Sequence, residues 1–285
     1  MSRKKFAIAV PASVISDTPH LREKTSKIGL IGRAAAIFRV HEIIVYPDNS
    51  GKGKQRSELD LIALLLAYLE TPQYLRKRLF KLDSRLQFAG ILPPLRTPHH
   101  PLNRKAENLK VGEYREGVTV SRTKEGLLVD IGVERPALMR EIHWALGKRL
   151  TLQIVKATEQ VEVQAVNRDE IPYYWGYMVT VENHSFRKLV ENRKFDLTIA
   201  TSKIGVKFMD VAGKIAEKWK KANDMLMAFG APARGLHEIV RDEGANLNDV
   251  ADFVVNMVPE QGTETVRTEE ALFVSLAILN MQLGW

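Results

Sequence analysis

The C-terminal third of the chain alternates between short apolar runs and longer helical patterns, and this alternation constrains the fold more than any other feature. The three apolar runs lie at 195–200, 225–229 and 253–255. Each is followed by a turn-rich loop and then by a segment with helical periodicity. Repeated strand–loop–helix units predict an α/β fold with a parallel sheet covered by helices. Because ligands bind beyond the carboxyl ends of such strands, the loops at Thr201, Gly230 and Asn256 are predicted to form one site.

The last of these loops, at 256–265, contains glycine and several hydroxyl side chains and leads into a helix. The helix carries an apolar face of Leu272, Leu276 and Leu279. Thr265 or Thr268 is expected to cap its first turn, and the acidic pair 269–270 suits its positive dipole end. Backbone N–H groups at such a helix start can bind a ligand, although an ordinary strand-to-helix turn has the same pattern.

The N-terminal part also predicts alternating elements. Strands are expected at 5–10 and 42–46, and helices at 21–40 and 57–69, the second with Ser57 as its cap. The second helix is expected to bury Leu61, Leu64, Leu65 and Tyr68. A basic loop at 47–54 is not a phosphate-binding loop, because Asp48 stands where that motif requires glycine.

Between these α/β parts the composition changes twice. Residues 76–110 are strongly basic and contain four prolines, which indicates a domain boundary near Leu95. His99 and His100 lie in this stretch, but they lack a spaced third ligand, so a polar loop is favoured over a metal site. From 111 to 166 the apolar residues recur with a period of two, which predicts about five short strands in a small OB-type barrel.

The densest aromatic cluster follows the predicted barrel and contains Tyr173, Tyr174, Trp175 and Tyr177. It is expected either to pack as a hinge between the domains or to stack against nucleic-acid bases. These two interpretations have equal weight.

Composition narrows the class of protein. The 285 residues carry a net charge of +8, which favours a polyanionic partner, most often nucleic acid. The absence of cysteine excludes disulfides and thiolate chemistry and is compatible with the cytosol, where we expect the protein to be. No apolar run approaches the roughly 20 residues of a membrane span, and a signal peptide is not expected.

Two motifs resemble those of SPOUT-class RNA methyltransferases, most closely the archaeal and eukaryotic uridine-N3 methyltransferase group. One is NMVPEQGTETVRTEEAL at 256–272, and the other is KIGLIGR at 27–33, whose arginine matches Arg33. The resemblance implies an α/β domain with a deep trefoil knot, formed by 1–95 and 171–285, and an inserted OB-like RNA-binding barrel at 96–170. It also implies S-adenosylmethionine as cofactor, rRNA or tRNA as substrate, no metal, and a homodimer that shares its site.

The site residues follow from the resemblance and from the predicted loops. The cofactor set is Thr201, Gly230, Asn256, Gly262, Thr263, Thr265, Val266 and Thr268. Glycine at 230 and 262 is expected to permit close backbone approach. Glu260, chosen from position alone, is a candidate to accept the uridine N3 proton. Arg33 and Arg234 are candidates to hold a phosphate or to stabilise negative charge on the base.

Two other functions remain open from the sequence. The chain could be a non-catalytic RNA-binding protein with an OB-like barrel and a nucleotide-binding α/β body. It could also be a nucleotide-binding enzyme of small-molecule metabolism, which the basic charge and the barrel disfavour. Cofactor binding and methyl transfer to RNA separate the first of these from a methyltransferase.

Overall fold

The computed structural model describes residues 4–48 and 54–284. The strands are Lys5–Pro11 (β1), Glu42–Tyr46 (β2), Tyr114–Arg122 (β3), Leu127–Asp130 (β4), Ala137–Met139 (β5), Arg149–Ala157 (β6), Val161–Ala165 (β7), Met178–Val181 (β8), Leu197–Lys207 (β9), Asp224–Ala228 (β10) and Phe253–Asn256 (β11). The α-helices are Leu21–Ile37 (α1), Lys54–Glu70 (α2), Gln73–Leu79 (α3), Phe186–Arg193 (α4), Phe208–Lys221 (α5), Leu236–Asp242 (α6), Leu247–Val250 (α7) and Thr268–Leu283 (α8).

The described residues form two compact units. The first comprises the residues up to Ala67, Gln87–Pro93 and those from Tyr177 onward, and the second comprises Tyr68–Leu86 and Pro94–Gly176. The second unit therefore includes a stretch, 68–86, that precedes the boundary expected near Leu95. Most of the basic loop predicted at 47–54 lies outside the described residues. Among the described helices, none combines the length and apolar content that crossing a lipid bilayer requires.

The first unit contains a six-stranded sheet in the order β11-β9-β10-β1-β2-β8. All five strand pairings are parallel, so the predicted parallel sheet is confirmed. Strands from both ends of the chain contribute to it. The central strands are mostly apolar, as is typical of a parallel sheet whose two faces are covered by helices, and β1 is buried from Phe6 to Pro11.

Strand β9 departs from the prediction, which ended it at Ala200. In its pairing with β11, Ala200 lies opposite Val254, but Val206 lies opposite Val255. The residues at 201–205 therefore loop out between two successive partners on β11. A side chain is not tolerated at Gly205, because its Cβ would lie 2.8 Å from the carbonyl oxygen of Val254. The loop predicted at Thr201 is thus an extrusion within a strand.

The helices agree with the pattern of the sequence apart from their ends. Leu272, Leu276 and Leu279 of α8 are fully buried, as predicted, and α8 packs against α1. Helix α1 ends at Ile37 instead of residue 40, and α2 begins at Lys54, so Ser57 is not its cap. The core positions of α2 are only partly as predicted.

Leu61 and Leu65 of α2 are buried, whereas Leu64 and Tyr68 are half-buried. On α1, a Cβ at Gly29 would lie 2.8 Å from the Pro93 ring, so glycine permits a close contact within the first unit. Gly29 is therefore closely packed inside the chain.

The second unit contains a closed five-stranded barrel in the order β3-β4-β5-β7-β6, which confirms the predicted number of strands. Its core includes inward-facing residues of β4, β5, β6 and β7, such as Val129, Met139, Leu152 and Val163. Alternation of buried side chains with less buried ones along β4 and the first part of β7 reproduces the period of two in the sequence.

Candidate functional site

The extruded loop of β9 and the carboxyl ends of β10 and β11 open onto a cavity of about 310 Å³ in the first unit, which we call the first cavity. Three segments line it, as the sequence predicted: the extruded loop after Ala200, the loop after β10, and the loop between β11 and α8. Its lining residues are Thr201, Ser202, Lys203, Ile204, Phe229, Gly230, Ala231, Pro232, Gly235, His237, Glu238, Asn256, Met257, Val258, Gln261, Glu264, Thr265, Val266, Thr268, Ala271 and Ser275.

Side-chain hydrogen bonds hold these three segments together. The Thr201 hydroxyl donates to the carbonyl oxygen of Ala228 (2.9 Å), and the Thr268 hydroxyl donates to that of Gly230 (2.9 Å). Asn256 donates from Nδ2 to the carbonyl oxygen of Lys203 (2.8 Å), and its Oδ1 accepts from the N–H of Val258 (2.9 Å). Thr201, Asn256 and Thr268 therefore each connect two segments of the chain as well as lining the cavity.

The loop after β10 turns tightly beside the cavity. The N–H of Ala231 donates to the carbonyl oxygen of Arg234 (2.9 Å), which closes the turn. A Cβ on Gly230 would lie 3.1 Å from that same oxygen, so the turn leaves little room for a side chain. Glycine here lets the backbone approach whatever occupies the cavity.

The start of α8 is stabilised differently from the prediction. Thr265 and Thr268 do not cap the helix, because the Thr268 hydroxyl is engaged with Gly230. Instead, the Glu270 carboxylate accepts a hydrogen bond from the N–H of Arg267 at 2.9 Å. A carboxylate at this place also suits the positive end of the helix dipole.

Some predicted cofactor residues lie outside this cavity. Six of the eight line it: Thr201, Gly230, Asn256, Thr265, Val266 and Thr268. Gly262 and Thr263 do not, and a Cβ on Gly262 would meet no atom within 4 Å. The Thr263 hydroxyl donates to the carbonyl oxygen of Thr265, which shapes the loop from outside.

None of the three predicted catalytic residues is among the lining residues of the first cavity. Glu260 has an 83% exposed side chain, adopts a left-handed backbone conformation (φ 58°) and pairs with Lys207 at 2.9 Å. Arg234 donates to the carbonyl oxygen of Asp48 (3.1 Å) and pairs with Asp242. Arg33 is half-buried on α1. A single chain therefore does not bring these residues together with the cofactor residues at that cavity.

Sequence reasoning missed a second cavity, of about 360 Å³, which also belongs to the first unit and which we call the second cavity. It is lined by Asp17, Thr18, Glu23, Ser26, Lys27, Leu30, Arg267 and Glu269. Lys27 is 6% exposed, donates to Asp17 Oδ1 at 2.8 Å and lies 3.6 Å from Glu269 Oε2. From the sequence, Glu269 is expected only to interact with the helix dipole. Its pairing with Lys27 could not be predicted, because residues so distant in the chain leave no local sequence pattern.

The side chains in the second cavity affect the carboxylate of Asp17. Burial raises the pKa of Asp17, but hydrogen bonds from Lys27 and Thr18 more than offset it, so its pKa is lower than usual. The floor of this cavity is thus polar and charged, whereas its rim, which includes Glu23 and Leu30, is exposed.

The second unit contains a buried ionic cluster. Arg149 pairs with Glu70 (2.7 Å) and with Glu116 (2.6 Å), and the Trp175 indole donates to Glu116 Oε1 (2.6 Å). Burial alone would raise the pKa of Glu70, but Arg149 is the main neighbour that lowers it to about 2. This cluster has the character of a structural network, because its charges are internally paired.

The two adjacent histidines of the second unit belong to the same cluster. Both Nε2 atoms lie within hydrogen-bond distance of the Glu70 carbonyl oxygen, at 2.9 Å for His99 and 2.7 Å for His100. Burial, and after it the neighbouring His99, lower the pKa of His100 to about 4. Within the described ranges 4–48 and 54–284, no group of three or more His, Asp and Glu side chains could hold a metal ion.

The aromatic segment is mostly part of the protein interior. Tyr174, Trp175 and Tyr177 are buried, and the Tyr177 hydroxyl donates to the carbonyl oxygen of Leu66 within the first unit. Tyr173 is 42% exposed and lies against the rings of Tyr114 and Trp175. Of this cluster, it is therefore Tyr173 that presents an exposed aromatic ring.

Comparison with known proteins agrees with the resemblance seen in the motifs. The model of a family described as "Putative RNA methyltransferase" matches residues 5–279. The chain is similar to 28S rRNA (uridine-N(3))-methyltransferases of Drosophila melanogaster and Mus musculus. Identity is 33% over 98% of this chain for the fly protein and 34% over 96% for the mouse protein. The chain spans 62% of the fly protein and 75% of the mouse protein.

A further relative is an uncharacterised protein, and a solved structure shows lower similarity. An uncharacterised protein of Halobacterium salinarum is 31% identical over 96% of this chain and 98% of its own length. Among solved structures, an RNA 2′-O ribose methyltransferase aligns over 99% of this chain and 57% of its own. Its TM-score is 0.40 and its identity is 9%.

Proposed function

The chain belongs to the RNA methyltransferase family whose model spans residues 5–279, and from this premise we propose that it methylates N3 of a uridine in ribosomal RNA with S-adenosylmethionine. The observation that carries the proposal is the first cavity, formed where the family motif at 256–272 meets two other loops. The fly and mouse relatives, named for uridine-N3 methylation of 28S rRNA, support the choice of base and of RNA class.

The first cavity suits S-adenosylmethionine in size and in chemistry. Its volume of about 310 Å³ is within the range of small-molecule sites. Apolar side chains such as Phe229 and Met257 can pack against an adenine ring, and hydroxyls such as Thr201 can reach a ribose. The carboxylates of Glu238 and Glu264 would face the cationic groups of the cofactor.

When bound, the cofactor supplies a methyl group on a sulfonium, so the protein needs to orient it and to exclude competing nucleophiles. Of the predicted cofactor residues, Thr201, Gly230, Asn256, Thr265, Val266 and Thr268 would hold it. The hydrogen bonds of Asn256 and Thr268 fix the loops before the cofactor arrives, which lowers the entropic cost of binding.

The OB-like barrel, the trefoil knot and the domain bounds are part of the same proposal. The barrel order β3-β4-β5-β7-β6, in which each strand pairs with two others, supports an OB-like barrel. The extruded residues at 201–205 and the loop at 257–267 support the trefoil knot that the resemblance implies. The domain division at 96–170 also stays a proposal, as does a cytoplasmic location.

RNA is proposed to contact the barrel and the basic stretch at 76–110. The chain carries a net charge of +8, which favours binding to phosphates. Exposed Tyr173 offers a ring on which an unpaired base can stack. Several basic side chains of this region, including Lys81 and Lys110, are exposed.

A homodimer that shares its site is proposed from the resemblance and from the exposed surface of α1 and α8. Leu30 and Ile37 on α1 are 40% and 47% exposed, and Val274 and Met281 on α8 are 38% and 84% exposed. Helical spacing places Arg33 on the same side of α1 as Leu30 and Ile37. Packing these faces across a two-fold axis would bring Arg33 of one subunit toward the partner.

One experiment tests the proposed function directly. The protein is incubated with labelled S-adenosylmethionine and ribosomal RNA lacking modifications, and the product is mapped by mass spectrometry. Methyl groups on uridine N3 support the proposal. RNA binding without transfer, and without calorimetric binding of the cofactor, would favour the non-catalytic RNA-binding protein.

A further inference from the structure

We propose that the second cavity holds the uracil ring that is methylated and that Glu269 accepts its N3 proton. This inference rests on the proposed function and adds the residues that receive the substrate base. It differs from the expectation for Glu260, which is exposed, paired with Lys207 and absent from the lining of both cavities.

The first argument is a buried carboxylate oxygen that lacks a hydrogen bond. The side chain of Glu269 is 8% exposed, and among the described residues its Oε2 has no hydrogen-bond partner. Its neighbour Lys27 lies 3.6 Å away, but Lys27 directs its hydrogen bonds to Asp17, at 2.8 and 3.0 Å. Buried polar atoms are almost always satisfied, so this oxygen is suited to a donor that a ligand brings.

The second argument is the set of donors and acceptors that line the cavity. The pairing edge of uracil presents a carbonyl oxygen, the N3–H and a second carbonyl oxygen. The second cavity is lined by an acceptor side chain, that of Glu269, and by two donor side chains, those of Lys27 and Arg267. The carboxylate matches the N3–H, and the ammonium and guanidinium groups match the carbonyl oxygens.

Other ligands match the cavity less well. A phosphate would be repelled by three carboxylates, those of Asp17, Glu23 and Glu269. A metal cation would have to displace Lys27, since its ammonium already pairs with Asp17 and Glu269. A neutral base with one acidic N–H satisfies both the acceptor and the donors.

The third argument is position. Arg267 and Glu269 line the second cavity, whereas Thr268, between them in sequence, lines the first. The first turn of α8 therefore adjoins both cavities. A uracil in the second cavity would lie beside the cavity proposed for the cofactor, as an in-line transfer requires.

The step balances without any further reactant. The N3 lone pair forms a bond to the methyl carbon, and the sulfur–methyl bond breaks with its electron pair left on sulfur. The N3–H bond breaks, and its proton goes to Glu269 Oε2 and then to water. Lys27 and Arg267 would stabilise the negative charge that develops on the uracil oxygens.

The test compares Glu269→Gln with the matched control Glu217→Gln, which changes an exposed glutamate of α5 outside both cavities. Cofactor affinity is measured by titration calorimetry, RNA affinity by filter binding, and transfer by single-turnover reactions with the ribosomal RNA that the wild type methylates. We expect Glu269→Gln to keep cofactor affinity and to transfer about 10²–10⁴-fold more slowly, which is the usual contribution of a general base. Glu217→Gln should transfer at the wild-type rate.

The pH dependence distinguishes a proton acceptor from a structural residue. The charged groups that face Glu269 are Lys27, Asp17, Glu23 and Arg267. Because hydroxide can remove the N3 proton at alkaline pH, the deficit of Glu269→Gln should shrink as the pH rises. A wild-type rate in the variant, or a deficit equal at every pH, would overturn the inference.

Failure of the proposed function, and failure of the variant to fold, are each distinguished from failure of this inference. If the wild type places no methyl group on uridine N3, the proposed function fails before the variant is tested. If Glu269→Gln does not fold, Glu269→Asp replaces it, since its shorter carboxylate keeps the charge beside Lys27. That variant should retain cofactor affinity and transfer more slowly, and an unchanged rate would again refute the role of Glu269.

Discussion

Asn256 Nδ2 donates a hydrogen bond to the carbonyl oxygen of Lys203 at 2.8 Å, and this bond joins two of the three loops of the first cavity. The same amide accepts from the N–H of Val258 through Oδ1. One side chain at the end of β11 therefore determines the position of the extruded loop and of the loop that carries the family motif.

Replacing Asn256 with Ala should weaken cofactor binding. The variant loses two hydrogen bonds, each worth about 0.5–1.5 kcal/mol, so we expect affinity to fall roughly 5- to 150-fold. The control is Asn248→Ala on α7, which lies outside the first cavity. Titration calorimetry with S-adenosylmethionine measures the effect, and equal affinities of the two variants would contradict it.

Gly205→Ala should disturb the extruded loop, because the new Cβ would lie 2.8 Å from the Val254 oxygen. The backbone has to shift, and overpacking of this kind costs about 1–3 kcal/mol. We expect a lower melting temperature together with weaker cofactor binding. Gly262→Ala is the control, since its Cβ meets no atom within 4 Å, and it should leave the melting temperature unchanged. A Gly205→Ala variant as stable as this control would refute the close approach.

Acid should destabilise the protein through His100. Its pKa is lowered from 6.5 to about 4 in the folded state, so between these values the unfolded chain binds a proton that the folded chain does not. The free energy of unfolding should therefore decrease as the pH falls from 6.5 to 4, by roughly 3 kcal/mol. Glu70, with a pKa of about 2, adds a loss in the same direction below pH 4.5.

The measurement for His100 is urea unfolding at several pH values. In His100→Gln the contribution of the histidine disappears. Its free energy of unfolding should therefore change less between pH 6.5 and 4 than that of the wild type. Identical slopes for the two proteins in that window would show that the histidine does not titrate as described.

RNA binding should depend steeply on salt and on one aromatic ring. Each phosphate contact reduces the logarithm of affinity by about 0.7–0.9 per logarithm of salt, so Lys110→Gln should lower the slope if Lys110 contacts RNA. Tyr173→Ala should weaken binding by about 1–3 kcal/mol at every salt concentration, since stacking is not ionic. Tyr173→Phe is the control and should bind normally. Filter binding across a salt series separates the two effects.

A charged side chain placed in the proposed dimer interface should disrupt the dimer. Ile37→Glu should convert the wild-type dimer to a monomer in analytical ultracentrifugation and remove transfer activity. Mixing Arg33→Ala subunits with Gly230→Val subunits, which block the cofactor turn, should restore activity if the site is shared. A wild-type monomer with full activity would rule out a shared site.

The sequence by itself determined the elements whose signal is local. The alternating apolar runs and helices predicted the parallel sheet, the period of two predicted the five barrel strands, and the spacing of Leu272, Leu276 and Leu279 predicted the buried face of α8. These predictions succeeded because residues at regular spacing along a helix or strand lie on one face. Burial of that face therefore leaves a pattern in the local sequence. Six of the eight predicted cofactor residues line the first cavity. They could be named from the sequence because the end of each predicted strand locates the loop that follows it.

Only the tertiary structure decided which side chains share a cavity. The extrusion of 201–205 depends on the register between β9 and β11, which a strand pattern does not contain. Arg33, Arg234 and Glu260 lie away from the first cavity because position along the chain does not specify direction in space. The pairing of Lys27 with Glu269 joins opposite ends of the chain, and it forms because α1 packs against α8.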